Sequence, residues 1–184
     1  MQLSKARELI VRGKSVKIHE IPDLFAVQSQ HGVAQMSSKA IGKPRSGVSN
    51  EVSCVLNAVP SIEPQEVAAF TDAGWSFVPK RLNLQLESAT GISKVFVNQC
   101  GHLVLGTNRL SVKVRPETSS PEIEKVFARY RVRILQQLKF ASGLYQVAID
   151  SDSDRDAIDV AGELSADPVI EFAEPEFIEF VGHR

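Results

Sequence analysis

The chain has 184 residues, a formal net charge of −1 and 43% hydrophobic residues, which is enough to bury one large core or two small ones. A net charge this close to zero gives no electrostatic basis for binding nucleic acid or a membrane surface, so we expect neither partner. No apolar run approaches the ~18 residues of a membrane span. The N-terminal stretch MQLSKARELIVRGKSV lacks the apolar region of a signal peptide. If Met1 is the natural start, we expect a cytoplasmic protein.

The first half predicts mainly strands. ELIVRGKSVKIHEIPDLFAVQ predicts two strands around a Gly-Lys turn, then a third strand at Leu24–Gln28 after a break at Pro22–Asp23. Ser29–Asn50 is polar and rich in Gly and Ser, which indicates a loop. EVSCVLNAVP, which follows this loop, predicts a further strand.

One helix is predicted in the first half, within SIEPQEVAAFTDAGW. Ser61 is its expected N-cap, Val67 and Phe70 face inward, and Gly74 ends it. SFVPKRLNLQLES predicts strand, and KVFVNQCGHLVLGTN predicts a hairpin with a Cys-Gly turn. The two cysteines, Cys54 and Cys100, form no metal-binding or disulfide-rich pattern, and we expect both thiols to be buried or half-buried.

The second half gives a clearer pattern of strands and helices. Arg109–Pro116 alternates apolar and polar residues, which predicts a half-buried strand. A helix capped by Ser119 or Ser120 follows, with one apolar face at helical spacing. That face consists of Ile123, Val126, Phe127 and Tyr130. The basic stretch Arg129–Arg133 is interpreted as the end of this helix leading into a strand, with a binding patch as the alternative.

Two more strands, RILQQLKF and LYQVAID, flank the turn ASG. SDSDRDAIDVAGELSADP then predicts a helix that opens with capping Ser and Asp residues and stops at Asp167-Pro168. Its expected apolar face consists of Ala157, Ile158, Ala161 and Leu164. VIEFAEPEFIEF predicts the last strand.

The resulting order β-α-β-β-α-β is typical of the ferredoxin-like fold, an antiparallel sheet with both helices on one face. We therefore expect an α+β protein of two small domains, residues 1–106 and 107–184. The first domain is interpreted as a degenerate, related α+β unit, because its helix and strands parallel those of the second. The uncovered face of the second sheet is a candidate docking surface.

No catalytic or metal-binding motif is found. His19, His31, His102 and His183 have no metal-ligand spacing, and no nucleophile elbow, phosphate loop or dinucleotide fingerprint is present. Asp150–Asp156 lacks the glycine and the closing glutamate of a calcium loop, so helix capping explains it better. We expect no enzymatic activity, no metal and no cofactor.

The residues from Thr107 to Glu179 resemble the N-terminal propeptides of subtilisin-like serine proteases. The resemblance rests on five features in the correct order: a strand of the kind VxVRP, a helix with IExxFARY, a strand GLYxV, a helix ending ELSADP, and the strand VIEFAEPEF. It implies an inhibitor and folding chaperone of a subtilisin-like protease, acting in cis before cleavage or in trans. The tandem arrangement of some bacterial relatives is similar to the two predicted domains.

The resemblance also implies which residues bind the protease. The open sheet face would pack on two helices of the enzyme, and Glu174 and Glu176, just past the closing strand, would cap the N-termini of those helices. The tail from Phe177 to Arg184 would lie in the substrate cleft like a product. Its implied contact residues are Phe177, Ile178, Phe180, Val181, Gly182, His183 and Arg184, with Phe180 as the pocket residue. The sequence ends after this tail, which we expect either of a propeptide cut from its protease or of a separately encoded inhibitor.

Other interpretations remain open. The chain could be a ferredoxin-like pair of interaction or regulatory domains that binds a partner other than a protease, or a small-molecule sensor. Glu174 and Glu176 could be ordinary surface carboxylates at the end of a strand. Phe177, Ile178 and Phe180 could pack on the first domain, with His183 and Arg184 as a disordered end.

Overall fold

The computed structural model describes residues 6–11, 14–29, 62–80, 89–150 and 155–180. Within these residues the protein is α+β, with eight strands and three helices. The strands are β1 Arg7–Val11, β2 Lys14–Ser29, β3 Trp75–Pro79, β4 Ala89–Asn98, β5 Leu103–Val114, β6 Val132–Gln137, β7 Leu144–Ile149 and β8 Ile170–Glu179. The helices are α1 Pro64–Asp72, α2 Ser120–Arg129 and α3 Ala157–Ser165. The predicted strand EVSCVLNAVP and the loop Ser29–Asn50 lie, apart from Ser29, outside the described residues.

The sheet is mostly antiparallel. Its neighbouring strands follow the order β1-β2-β4-β5-β7-β6, with β3 also pairing β2 and β8 also pairing β5. The chain forms two compact units: the first comprises Met1–Leu9, Ser15–Leu105 and Ile178–Arg184, and the second comprises Ile10–Lys14 and Gly106–Phe177. The last described residues, Ile178 to Phe180, therefore group with the first unit.

The predicted break at Pro22–Asp23 is wrong. β2 continues from Lys14 to Ser29, and its register against β4 shifts between Glu20 and Phe25. A proline removes one backbone donor but is tolerated at a bulge. The Pro-Asp pair therefore produces an irregularity within one long strand rather than a turn between two.

The first unit has one hydrophobic cluster around α1. Phe70 of α1 is 1% exposed and meets Phe77 of β3 edge-on, with 6.3 Å between the ring centroids. Val67 packs against the same cluster, as its helical spacing predicted. The buried members are Ile21, Leu24, Ala26, Phe70, Trp75, Phe77, Val95, Val97, Leu103 and Leu105.

The ends of α1 differ partly from the prediction. The N-cap is Glu63, with Pro64 in the first turn, and Ser61 lies outside the described residues. Gly74 ends the helix with a φ of 86°, a conformation that glycine adopts without strain.

The predicted Cys-Gly hairpin joins β4 to β5. The Oδ1 atom of Asn98 accepts hydrogen bonds from the amides of Cys100 and His102, at 2.9 and 3.0 Å. Gly101 in this turn has a φ of 86°. The expectation of a buried thiol is wrong for Cys100, which is exposed because it sits at the tip of the turn. Cys54 lies outside the described residues.

The second unit packs α2 and α3 on one face of its strands. Leu110, Val112 and Val114 of β5 share a cluster with Val126 and Phe127 of α2. The helix α3 contributes Ala157, Val160, Ala161 and Leu164. The prediction placed Ile158 on this face, but Ile158 is only half-buried. The positions i, i+3, i+4 and i+7 from Ala157 define the inner face, and Ile158 lies one residue around the helix from it.

One of the two helix caps predicted for the second unit makes the expected side-chain hydrogen bonds. Asp156 caps α3, its Oδ1 atom accepting hydrogen bonds from the amides of Ile158 and Asp159. Ser119 stands at the N-cap of α2 but makes no side-chain capping bond. Instead its carbonyl accepts from the amides of Glu122 and Ile123.

Asp167 ties the loop after α3 to the end of α2. Its side chain is 2% exposed. It accepts hydrogen bonds from Arg129 Nη1 at 3.1 Å, the Tyr130 hydroxyl at 3.3 Å and the Val169 amide at 3.1 Å. This carboxylate is fully engaged within the fold, so its role is structural.

Candidate functional site

Glu176 is the centre of a polar cluster on the second unit's sheet. Its carboxylate accepts a hydrogen bond from Ser111 Oγ of β5 at 3.1 Å. Gln146 Nε2 of β7 donates to both of its oxygens at 2.9 Å. The backbone carbonyl of Glu176 accepts from Thr107 Oγ1 at 2.9 Å. These contacts fix the glutamate across strands that are far apart in sequence.

The cluster lies on the face of this sheet opposite α2 and α3, which carries no helix among the described residues. Ser111 alternates with Leu110 and Val112, which face the helices, so its hydroxyl points to the opposite side. Gln146 likewise precedes the buried Val147 in β7. The helix-free face therefore holds the carboxylate of Glu176, while the helix side of the same strands forms the apolar core.

The cluster extends to β6. Gln136 stands opposite Gln146 in the β6–β7 register, and its Nε2 atom donates to Gln146 Oε1 at 3.0 Å. Gln136 is exposed, whereas Gln146 and Glu176 are half-buried. The helix-free face thus carries a hydrogen-bonded row of neutral amides that ends on one carboxylate.

Glu174 and Glu176 lie inside β8 rather than past its end. β8 runs from Ile170 to Glu179, so the closing strand is longer than the resemblance implies. Glu174 is half-buried and Pro175 between the two glutamates is buried. Ala173, just before them, belongs to the helix-side core. By the alternation of a strand, Glu174 and Glu176 share the other side.

The described tail residues Ile178 and Phe180 pack within the first unit. Ile178 packs on the hydrophobic cluster that contains Phe70, and the ring of Phe180 contacts the Phe70 ring edge-on at 6.2 Å. Phe180 remains 48% exposed, and Phe177 is half-buried. Val181, Gly182, His183 and Arg184 of the predicted cleft-binding tail lie outside the described residues.

The polar residues clustered around Glu176 were not predicted from the sequence. Ser111, Gln146 and Gln136 are separated from Glu176 by 65, 30 and 40 positions of sequence. The only available signal was strand alternation, which places these polar side chains opposite the predicted core. It gives the face of each residue but not the strand order that brings them together.

A second carboxylate contact lies at the hairpin of the first unit. Glu66 of α1 approaches His102 Nδ1 at 2.6 Å, and its other oxygen accepts from the Leu103 amide at 3.3 Å. This pair holds the β4–β5 turn against the helix. In the described part of the chain, no group of three or more His, Cys, Asp or Glu side chains could hold a metal ion. None of the helices in that part is long and apolar enough to cross a membrane.

Comparison of the chain with protein-family models, with curated proteins and with solved structures finds no match.

Proposed function

We propose that the chain is a propeptide-like module that binds a subtilisin-like serine protease through the helix-free face of its second unit. The element order of that unit is β-α-β-β-α-β, and its strands neighbour one another as β8-β5-β7-β6. The observation that carries the proposal is the position of Glu176, held on the helix-free face by Ser111 and Gln146. A protease that docks on this face meets a fixed carboxylate.

Helix N-termini of the protease are the partners that suit this carboxylate. The first turn of a helix offers amide groups without intrahelical partners and a partial positive charge. A carboxylate placed there is stabilising by roughly 0.3–1 kcal/mol at exposed sites. Because Glu176 is already held in place, it loses little conformational freedom on docking. Glu174, on the same side of β8, is the second capping residue of the proposal.

The tail requires one further step before it can occupy a substrate cleft. Ile178 and Phe180 contact the first unit, so both contacts must be given up when Phe177–Arg184 enters the cleft. An extended segment gains main-chain hydrogen bonds with the edge strands of the enzyme, and its side chains fill alternate pockets. We therefore expect inhibition in two phases, with rapid docking of the sheet face and slower insertion of the tail.

Progress curves of a subtilisin mixed with the chain test this proposal. The double variant Glu174→Gln/Glu176→Gln should weaken inhibition about threefold to thirtyfold, because two helix-capping charges are lost. The matched control is Glu171→Gln/Glu179→Gln, which removes two exposed charges from the same strand and should leave inhibition unchanged. Absence of inhibition by the wild-type chain, or equal weakening by both double variants, would refute the proposal.

A second candidate is an interaction or regulatory module for a partner other than a protease. The contact of Phe180 with Phe70 favours it, because a tail that packs on its own chain acts as a structural element. Removing residues 181–184 separates the two functions. If the chain is a protease inhibitor, this deletion weakens inhibition, because it removes the end of the segment that would form main-chain hydrogen bonds with the edge strands of the enzyme. If the chain is instead an interaction or regulatory module, the deletion of residues 181–184 leaves partner binding intact.

A further inference from the structure

The hairpin β6–β7 concentrates positive charge. From Arg131 to Ile149 the sequence contains the cations Arg131, Arg133 and Lys139 and no carboxylate, although the whole chain has a net charge of −1. All three cations are exposed, and none has an ion-pair partner among the described residues. Within the described residues, this hairpin therefore presents three exposed cations that form no ion pair, with Asp150 as the carboxylate residue nearest in sequence.

The same hairpin exposes apolar side chains. Ile134, Leu135 and Phe140 are 45%, 39% and 82% exposed. They make up three of the seven large hydrophobic side chains that are exposed in the described part of the chain. Edge strands are commonly protected by charges and bulges, which accounts for the cations and for the register shift after Ile134. Protection against edge pairing does not account for three exposed apolar residues.

β6 also has an unoccupied edge among the described strands. It stands at one end of the neighbour order, with β7 as its one partner there. A terminal strand leaves a row of backbone donors and acceptors along its outer side. An extended polypeptide can add to such a row, with main-chain hydrogen bonds providing affinity and side chains providing selectivity.

We propose that the edge formed by Arg131–Phe140 binds an extended acidic polypeptide segment that alternates carboxylate and apolar side chains. Its carboxylates pair with Arg131, Arg133 and Lys139, and its apolar side chains cover Leu135 and Phe140. A second copy of the same edge is a poor occupant, because pairing β6 with itself brings like charges together. The residues proposed to bind the segment do not include Glu174, Glu176 or the tail, so this proposal is tested separately from the proposed protease binding.

Fluorescence anisotropy with two labelled peptides of about ten residues tests the site directly. One peptide alternates Glu with Val, and the other alternates Lys with Val. The full-length chain should bind the Glu peptide about tenfold more tightly than the Lys peptide, and the difference should shrink as salt is raised. Equal affinity for both peptides overturns the proposal. An oligothymidylate of equal charge that binds as tightly as the Glu peptide also overturns it, because charge alone would then explain the binding.

Two variants with matched controls assign the binding to this edge. Arg133→Glu should weaken binding of the Glu peptide about fivefold, whereas Lys125→Glu, a charge reversal at an exposed position of α2, should not. Phe140→Ala should also weaken binding, while the thermal midpoint of unfolding stays unchanged because the side chain is largely exposed. Binding that is insensitive to Arg133→Glu and Phe140→Ala overturns the proposal. So does a concentration-dependent dimer in sedimentation that Arg133→Glu abolishes.

Discussion

The ring of Phe180 lies edge-on against the ring of Phe70, with 6.2 Å between their centroids and 63° between their planes. Phe70 is 1% exposed and belongs to the hydrophobic cluster of the first unit. Ile178, two residues earlier, packs on the same cluster. The last described residues of the chain are thus part of the packing of the first unit.

The substitution Phe180→Ala should lower the free energy of unfolding of the first unit by about 1 kcal/mol, the usual worth of an aromatic pair. Trp75, the only tryptophan of the chain, is buried in the same cluster. Its fluorescence during urea unfolding therefore reports on this unit. Phe140→Ala removes a ring that is 82% exposed and serves as the control. Equal midpoints for Phe180→Ala and wild type would show that the tail does not stabilise the first unit.

The contact between Phe180 and Phe70 also bears on the proposed protease binding. If the tail must leave Phe70 before it enters the cleft, the substitution Phe70→Leu should speed the slow phase of inhibition, since it weakens the contact and leaves Phe180 available. The matched comparison is Phe77→Leu, which alters the same cluster next to Phe70. A slow phase that responds equally to both variants would argue against release of the tail as the limiting step.

The substitution Asp167→Ala should destabilise the second unit by about 2–3 kcal/mol. It removes a buried carboxylate that accepts from Arg129, Tyr130 and the Val169 amide, and hydrogen bonds to charged groups are worth ~1.5–3 kcal/mol. The pair with Arg129 adds little, because the arginine is 58% exposed. Glu171→Ala, at an exposed position, is the control. Thermal unfolding followed by circular dichroism measures both, and similar midpoints would contradict the structural role of Asp167.

Two glycine-to-alanine substitutions should act in opposite directions. Gly143 has a φ of +70°, and a Cβ atom there would lie 2.9 Å from the Val114 carbonyl oxygen, so Gly143→Ala should destabilise by roughly 1–2 kcal/mol. Gly162 lies within α3 and is exposed, and an added Cβ would have no atom within 4 Å other than those of its chain neighbours and the backbone of its own helix. Gly162→Ala should stabilise by about 0.5–1 kcal/mol, because alanine favours the helix. Urea titrations compare them, and a shared sign would contradict the backbone argument.

The substitution Glu176→Ala should weaken the packing of β8 in the second unit by about 1–2 kcal/mol. It leaves the hydroxyl of Ser111 and the amide of Gln146 without their carboxylate partner. Glu179→Ala, at an exposed position of the same strand, provides the control. Hydrogen exchange of the β5 and β8 amides locates the effect. Unchanged exchange rates would show that the polar cluster contributes nothing to the order of the helix-free face.

The sequence alone determined the local elements of the second half. Short-range patterns were sufficient to predict these elements, because each element buries its own apolar stripe. The buried residues include those predicted from the alternation in Arg109–Pro116 and from the helical spacing of Ile123, Val126 and Phe127. Asp156 acts as the predicted cap, because a cap depends only on residues two or three positions away. The same reasoning located the Cys-Gly turn at Gly101.

Only the tertiary structure decided the features that depend on distant partners. β2 pairs with β4 on both sides of Pro22–Asp23, which makes it one strand rather than two. The surroundings of Glu176 come from strands that lie 30 and 65 positions away in sequence. The place of Phe180 depends on Phe70, far earlier in the chain. The apolar residues of the last strand predict that part of it will be buried. Which surface buries them depends on how the rest of the chain folds.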